Sequence, residues 1–249
     1  MQLDFSKQRI LITGGTRGIG KQIADDLCKL GATVLITGTN PKEIETLNEA
    51  AAKSNQKKIF LTLDLLQTDS INQFLNVLKK YDRLDGLVNN AGINRLNPIQ
   101  NAMVQDWDDT LKVNLTSPFL MLNAVSPIMI QNKYGRIVNI ASIFGVISKE
   151  KRAIYSATKF GIHGLTVGCS NDLARYNILV NTVSPGFVLT DLTRKNLNES
   201  EMADLSKQIP IKRMAETRDI SNVVVFLLSN LNQYITGQNI IVDGGFTNV

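Results

Sequence analysis

The 249-residue sequence is poor in the residues that build metal centres and disulfide frameworks, with two cysteines and one histidine. Cys28 and Cys169 lie far apart in no Cys-x-x-Cys or other metal-ligand spacing, so they read as structural thiols. A sole histidine, His163, argues against Ser-His-Asp chemistry and against a multi-histidine zinc site, and no metal is expected. Long apolar runs are lacking too. In the C-terminal third the longest is Val223 to Leu228, far short of the ~18 residues that cross a bilayer, and no membrane span is expected. The opening Met1-Gln-Leu-Asp-Phe-Ser carries no basic segment followed by an apolar one, which reads as no secretory leader and gives a cytoplasmic location as the expectation. Charge of one sign is not in large excess: 27 Lys and Arg against 22 Asp and Glu leave a net +5. That balance suits an anionic ligand. The basic pairs Lys57-Lys58, Lys79-Lys80 and Arg194-Lys195 are dispersed and not interleaved with aromatics, so nucleic-acid binding is not expected.

What is present is a regular alternation. Short β-branched runs begin at Arg9, Thr33, Ile59, Gly86, Gly135, Ile178 and Asn239, and longer helical patterns separate them. Between the first two runs, Ile19, Ile23, Leu27 and Leu30 mark one helix face, closed by Gly31. Near-continuous apolar strands joined by helices predict an α/β fold: a single-domain, Rossmann-type, doubly wound parallel sheet of about seven strands with helices on both faces. No linker, repeat or low-complexity tract divides the chain, so residues 1–249 form one expected domain. Its cofactor half covers about 1–92 and its catalytic and substrate half about 93–249. A lid is expected at about 187–210, where Leu197, Met202 and Leu205 recur at helical spacing.

The first strand runs into Thr13-Gly-Gly-Thr-Arg-Gly-Ile-Gly20. Gly14, Gly18 and Gly20, with Thr16, Arg17 and Ile19 between them, form a strand-to-helix turn where backbone can approach a pyrophosphate. The second strand ends in Thr37-Gly38-Thr39-Asn40, without the acid that normally receives the ribose hydroxyls of NAD. Arg17, Thr39 and Asn40 can instead meet a 2′-phosphate, so NADP(H) is the expected cofactor, with NAD(H) not excluded. Asp64 and Leu65 follow the third strand, where Asp64 can meet the adenine amino group or simply cap the next turn. Asn90, Ala91 and Gly92 end the fourth strand beside the same crevice.

Tyr155 and Lys159 stand at i and i+4 of a helical run and so share a face. A phenol is a poor acid or base at neutral pH, and a neighbouring ammonium favours its phenolate. Ser142 follows an apolar strand and brings a hydroxyl to the same edge as the glycine turn. Asn114 lies in a helical pattern four residues before Pro118, which has no N–H. The Asn114 carbonyl is therefore expected to lose its helical partner, leaving a kink and a free acceptor able to hold a water.

Together, Thr13-Gly-x-x-x-Gly-x-Gly20, Asn89-Asn-Ala-Gly92, Asn114, Ser142, Tyr155-x-x-x-Lys159 and Pro185-Gly186 with Thr190 resemble the classical short-chain dehydrogenase/reductase family along essentially the whole chain. The resemblance implies an NAD(P)-dependent oxidoreductase with Tyr155 as general acid/base and Ser142 orienting the substrate carbonyl. Lys159 then holds the cofactor ribose and lowers the tyrosine pKa, and Asn114 anchors a relay water. It also implies that Pro185, Gly186, Val188 and Thr190, with Ile93 and Ile140, lie near the cofactor. A homotetramer built on helices around 106–131 and 155–176 is implied as well. His163, two turns from Tyr155, reads as a packing or interface residue.

Within the family the chain is similar to 3-oxoacyl-(acyl-carrier-protein) reductases through Arg17, Asn89-Asn-Ala-Gly-Ile-x-Arg95, Pro185-Gly-Phe-Val-x-Thr-Asp-Leu-Thr193 and Tyr234-Ile-Thr-Gly. That implies reduction of a small-molecule or carrier-bound carbonyl in fatty-acid biosynthesis. Asn94-Arg-Leu-Asn-Pro and Asp106-Trp-Asp-Asp109 look similar to sugar-acid and polyol dehydrogenases of the same family. A non-catalytic nucleotide-binding scaffold is the alternative from another class. Lys149, Lys151 and Arg152, just before Tyr155, are expected around the substrate mouth, where they can attract an anion or remain a solvated loop.

Overall fold

The computed structural model describes residues 3–196 and 198–248. Strands β1 (Arg9–Ile12), β2 (Thr33–Gly38), β3 (Lys58–Thr62), β4 (Gly86–Asn89), β5 (Gly135–Ile140) and β6 (Ile178–Pro185) alternate with helices. Those helices are α1 (Gly18–Lys29), α2 (Pro41–Lys53), α3 (Thr68–Leu78), α4 (Val104–Leu111), α5 (Ser117–Asn132) and α6 (Ala153–Leu173). Strand β7 (Val188–Leu189), α7 (Asp191–Asn196), α8 (Glu199–Gln208), β8 (Ala215–Glu216), α9 (Thr217–Leu228) and β9 (Asn239–Val242) complete the chain.

All seven expected strands join one parallel sheet in the order β3-β2-β1-β4-β5-β6-β9. Side-chain alternation divides the core between its two faces. Ile10 and Ile12 of β1 pack with Ile23 and Leu27 of α1 and Val224 of α9, while Leu11 packs on the opposite face with Phe74 of α3 and Val125 of α5. Gly31, with φ of +97°, ends the first helix as expected, and its N–H donates to the Cys28 carbonyl at 3.0 Å. The two-residue pair of β7 and β8 was not expected, because two residues carry no periodicity.

The strand order changes direction between β1 and β4, running outward to β3 on one side and to β9 on the other, and the carboxyl ends of those two strands open the crevice where such sheets bind ligands. Between α4 and α5 the predicted disturbance takes the form of a single π-helical turn, Lys112–Thr116, closed by the Ser117 N–H on the Lys112 carbonyl. The helical run Val104–Asn132 is long and apolar enough to pass a length-and-composition test for a membrane span, which the sequence reading did not anticipate. Its Val113, Met121, Leu122, Val125 and Met129 are buried in the core, as a central helix of an α/β fold requires.

Candidate active site

The glycine turn is shaped for an anion. Gly14 and Gly18 adopt φ of +63° and +56°, and a Cβ on Gly14 would lie 3.0 Å from the Ala91 backbone. At the N-terminus of α1, no side chain caps the helix at Arg17 and no acid occupies the first turn, so its N–H donors and positive end face the crevice. Asn90 braces the turn: its amide nitrogen donates to the carbonyls of Thr13 (3.0 Å) and Gly14 (2.9 Å). Gly20 packs against that same amide, so its role is close approach and not ligand contact.

Of the cofactor residues expected from sequence, Gly14, Thr16, Arg17, Gly18, Ile19, Thr39, Asp64, Leu65, Asn90, Ala91, Gly92 and Thr190 line one continuous cleft. Asn40 does not join them. Its side-chain oxygen is committed to the N-terminus of α2, accepting from Lys42 at 3.0 Å and Glu43 at 3.3 Å. Asp64 lines the cleft and caps its own turn, accepting from the Leu66 N–H at 2.9 Å. Pro185 ends β6, and Gly186 lies against the C-terminal segment, where a Cβ would sit 2.8 Å from Asp243. Val188 is buried in β7. The sequence reading missed Glu43, which faces the cleft from the first turn of α2. A carboxylate three residues past a helix N-cap is an ordinary helix-start residue, and only the turn of α2 aims it inward.

Past the end of β5, Ser142 caps a short turn over Ile143–Gly145, its hydroxyl accepting from the Phe144 N–H at 3.2 Å. That turn lies directly on α6: a Cβ on Gly145 would be 2.5 Å from the Lys159 carbonyl oxygen. Tyr155 is half-buried and Lys159 is buried; neither they nor Ser142 line the cleft itself. The Lys159 ammonium donates to the Ile140 carbonyl at 2.8 Å and lies 5.5 Å from the Tyr155 ring centroid. Burial lowers its pKa to about 8. Burial also pushes the Tyr155 hydroxyl above its ordinary value, while the Ser142 hydroxyl and the Arg152 guanidinium pull it down.

Asn114 is buried and spends its side chain on structure. Its oxygen accepts from the Ile93 N–H and its nitrogen donates to the Ile93 carbonyl, both at 2.9 Å, and to Thr158 at 3.2 Å. This ties the loop after β4 to α6 one residue before Lys159. Pro118, in the first turn of α5, offers no N–H to the Asn114 carbonyl four residues before it. Gly92 completes the group, since a Cβ there would lie 3.4 Å from the Asn114 side-chain Oδ1 and 3.7 Å from the Lys159 Nζ.

Residues 14–247 match the model of a family described as enoyl-(acyl carrier protein) reductase. The chain is 40% identical to the 3-oxoacyl-(acyl-carrier-protein) reductase of Aquifex aeolicus, over 98% of this chain and 99% of that one. The chain belongs to the short-chain dehydrogenase/reductase family. A putative gluconate dehydrogenase structure from Agrobacterium tumefaciens superposes with a TM-score of 0.93 at 31% identity, covering 100% of this chain and 99% of that one. A gluconate 5-dehydrogenase from Burkholderia cenocepacia, solved with NADP and tartrate, gives 0.92 at 30% identity, covering 100% and 98%. Membership makes the chain an oxidoreductase of the NAD(P)-dependent class acting between CH–OH and C=O groups.

In this short-chain dehydrogenase/reductase the three cations expected at the substrate mouth do not act alike. Lys149 and Lys151 are exposed, whereas the Arg152 guanidinium lies over the Phe144 ring at 4.5 Å and reaches Tyr155 electrostatically. His163 lies outside the site, half-buried on α6, and its Nδ1 finds no partner among the described residues. The helices α7 and α8 occupy the expected lid segment, with Asn198 and Glu201 forming a reciprocal cap. Leu197, one of the residues on which that expectation rested, lies outside the described residues.

Proposed function

We propose that this chain reduces a ketone to a secondary alcohol with NADPH and that the ketone is that of a 3-oxoacyl thioester. The observation that carries the reading is the full-length 40% identity to a 3-oxoacyl-(acyl-carrier-protein) reductase, combined with Ser142, Tyr155 and Lys159 gathered next to Gly92, which lines the dinucleotide-shaped cleft. The strained glycine turn and uncapped helix end fit a pyrophosphate. Arg17 and Thr39 supply donors for a 2′-phosphate, Asp64 and Leu65 flank the adenine position, and the Burkholderia relative binds NADP. The nicotinamide coenzyme held there supplies the hydride.

The chain's own groups do the rest. Ser142 and Tyr155 donate to the substrate oxygen, which orients the carbonyl and stabilises the negative charge developing on it. Tyr155 then gives its proton to that oxygen, and its raised pKa keeps it in the donor form needed for reduction. Lys159 stands behind it as a buried cation able to hold a ribose hydroxyl, and the Asn114 carbonyl, which Pro118 denies an i+4 donor, serves as acceptor for a water that returns a proton to the tyrosine. In this reading residues 1–249 are one domain, α7 and α8 form its lid, and the assembly is a homotetramer.

The test is NADPH or NADH oxidation with a 3-oxoacyl thioester, on the wild type and Tyr155→Phe. Turnover with NADPH, lost by at least about 100-fold in the variant with cofactor affinity kept, is the expected result. An unchanged kcat in Tyr155→Phe overturns the assignment of the acid. The second reading, a sugar-acid or polyol dehydrogenase, is favoured by the gluconate dehydrogenases among the structural relatives. Its mark is NADP reduction by a sugar-acid panel with no thioester turnover.

A further inference from the structure

Arg152 is an unusual arginine. Three residues before Tyr155, it stands at the N-terminal boundary of α6, yet its side chain turns inward and lies over the Phe144 ring at 4.5 Å. Phe144 in turn meets Tyr155 edge-on at 6.5 Å and Phe187 at 6.3 Å between centroids, so the guanidinium caps an aromatic wall beside the reacting tyrosine. Its Nε–H is buried with no hydrogen-bond partner among the described residues. Tyr155 is the one titratable group that acts on it, with no carboxylate among those that do, and burial works against its charge.

A guanidinium in this state carries an unmet cost. The guanidinium is half-buried, and its Nε–H, out of reach of water and without a partner, is a donor whose lost hydration the stack on the aromatic face offsets only in part. The neighbouring cations Lys149 and Lys151 stay in water, so the inward turn of Arg152 is not a general property of the loop. What fits the unused donor is a planar oxyanion, which a guanidinium grips with parallel N–H bonds.

We infer that Arg152 is a specificity-determining residue that binds the carboxylate of the substrate, making free oxo acids and hydroxy acids substrates of this site. The inference rests on the ketone-reductase reading of the cleft and not on the thioester in particular. Phe144 holds the guanidinium against its ring, and Tyr155 and Ser142 meet the carbonyl a few bonds along the same small molecule. A free acid thus engages both ends, whereas a neutral ester or thioester offers Arg152 only an uncharged carbonyl oxygen, a weaker acceptor.

The experiment compares two substrates with the same ketone and different charge, acetoacetate and its neutral N-acetylcysteamine thioester, with NADPH. It is run on the wild type, Arg152→Gln and Arg152→Lys. The wild type is expected to turn over acetoacetate. In Arg152→Gln the KM for the acid rises at least tenfold more than the KM for the thioester, with Arg152→Lys in between. Equal losses on both substrates, or none, overturn the assignment, as does a wild type that reduces the thioester and not the acid. If neither ketone is reduced, the proposed function fails first. Calorimetry of malonate binding to NADPH-loaded protein then decides separately: binding by the wild type that is lost in Arg152→Gln supports the carboxylate site, and equal or absent binding in both removes it. Circular dichroism checks that each variant is folded.

Discussion

Lys159 is the residue whose environment departs most from that of a free side chain. A lysine ordinarily titrates near 10.5, and burial brings this one to about 8, with a single hydrogen bond to the Ile140 carbonyl at 2.8 Å in partial compensation. Between those two values the unfolded chain binds more protons at this position than the folded chain. The protein without cofactor should therefore gain stability as pH rises from about 8 to 10.5, and below that window the cost of burying the charged ammonium is fully present. Thermal midpoints measured across the window, in wild type and Lys159→Met, test this. The wild type should climb relative to the variant, and parallel curves would mean that the ammonium is solvated. The same lowered value bears on chemistry, because near neutral pH the lysine still carries most of its charge at the place where a ribose would sit.

At the scale of elements, the site depends on the turn after β5 lying flat on α6. Gly145 makes that contact possible, and even a methyl group there meets the Lys159 backbone oxygen at 2.5 Å, inside any allowed separation. Gly145→Ala should push the Ser142 turn away from Tyr155. Displacements of about 1 Å in a reacting group commonly cost ~100-fold in rate, so kcat/KM should fall by about that much while far-ultraviolet circular dichroism stays unchanged. Wild-type kinetics in Gly145→Ala would mean that the turn is free to move.

None of this contact is visible in the linear sequence, and it marks the boundary of what was legible there. The strands were legible because buried parallel strands are continuously apolar, and Tyr155 with Lys159 because four residues bring side chains to one helix face. The disturbed helix at Asn114 was legible because Pro118 lacks a donor, although its form, a π-helical turn, was not. Where a side chain must choose among partners, tertiary structure decided. Asn40 went to capping α2, Asn90 to bracing the glycine turn and Lys159 to the end of β5.

At the scale of the molecule, one face of α6 is hard to reconcile with an isolated chain. Phe160 and Val167 are 49% and 39% exposed, and Gly164 and Gly168, on the same face by their spacing, have nothing within 4 Å of the position a Cβ would take. Phe119 on α5 is exposed to the same degree as Phe160. Both helices are apolar on nearly all sides, the pattern of helices buried all round and not of helices facing water, which also explains why the run through α5 imitates a membrane span. His163, on the same helix with an unpartnered ring nitrogen, adds a polar group for a neighbour to satisfy. A second copy of α5 and α6 packed against these residues would bury the phenylalanines, with the glycines allowing close backbone approach. Light scattering should then report a tetramer for the wild type, and Phe160→Glu, which sets a charge in the middle of the face, should lower the mass to dimer or monomer. A wild type that is monomeric at micromolar concentration would show that these side chains remain in water and that the site works in a single chain.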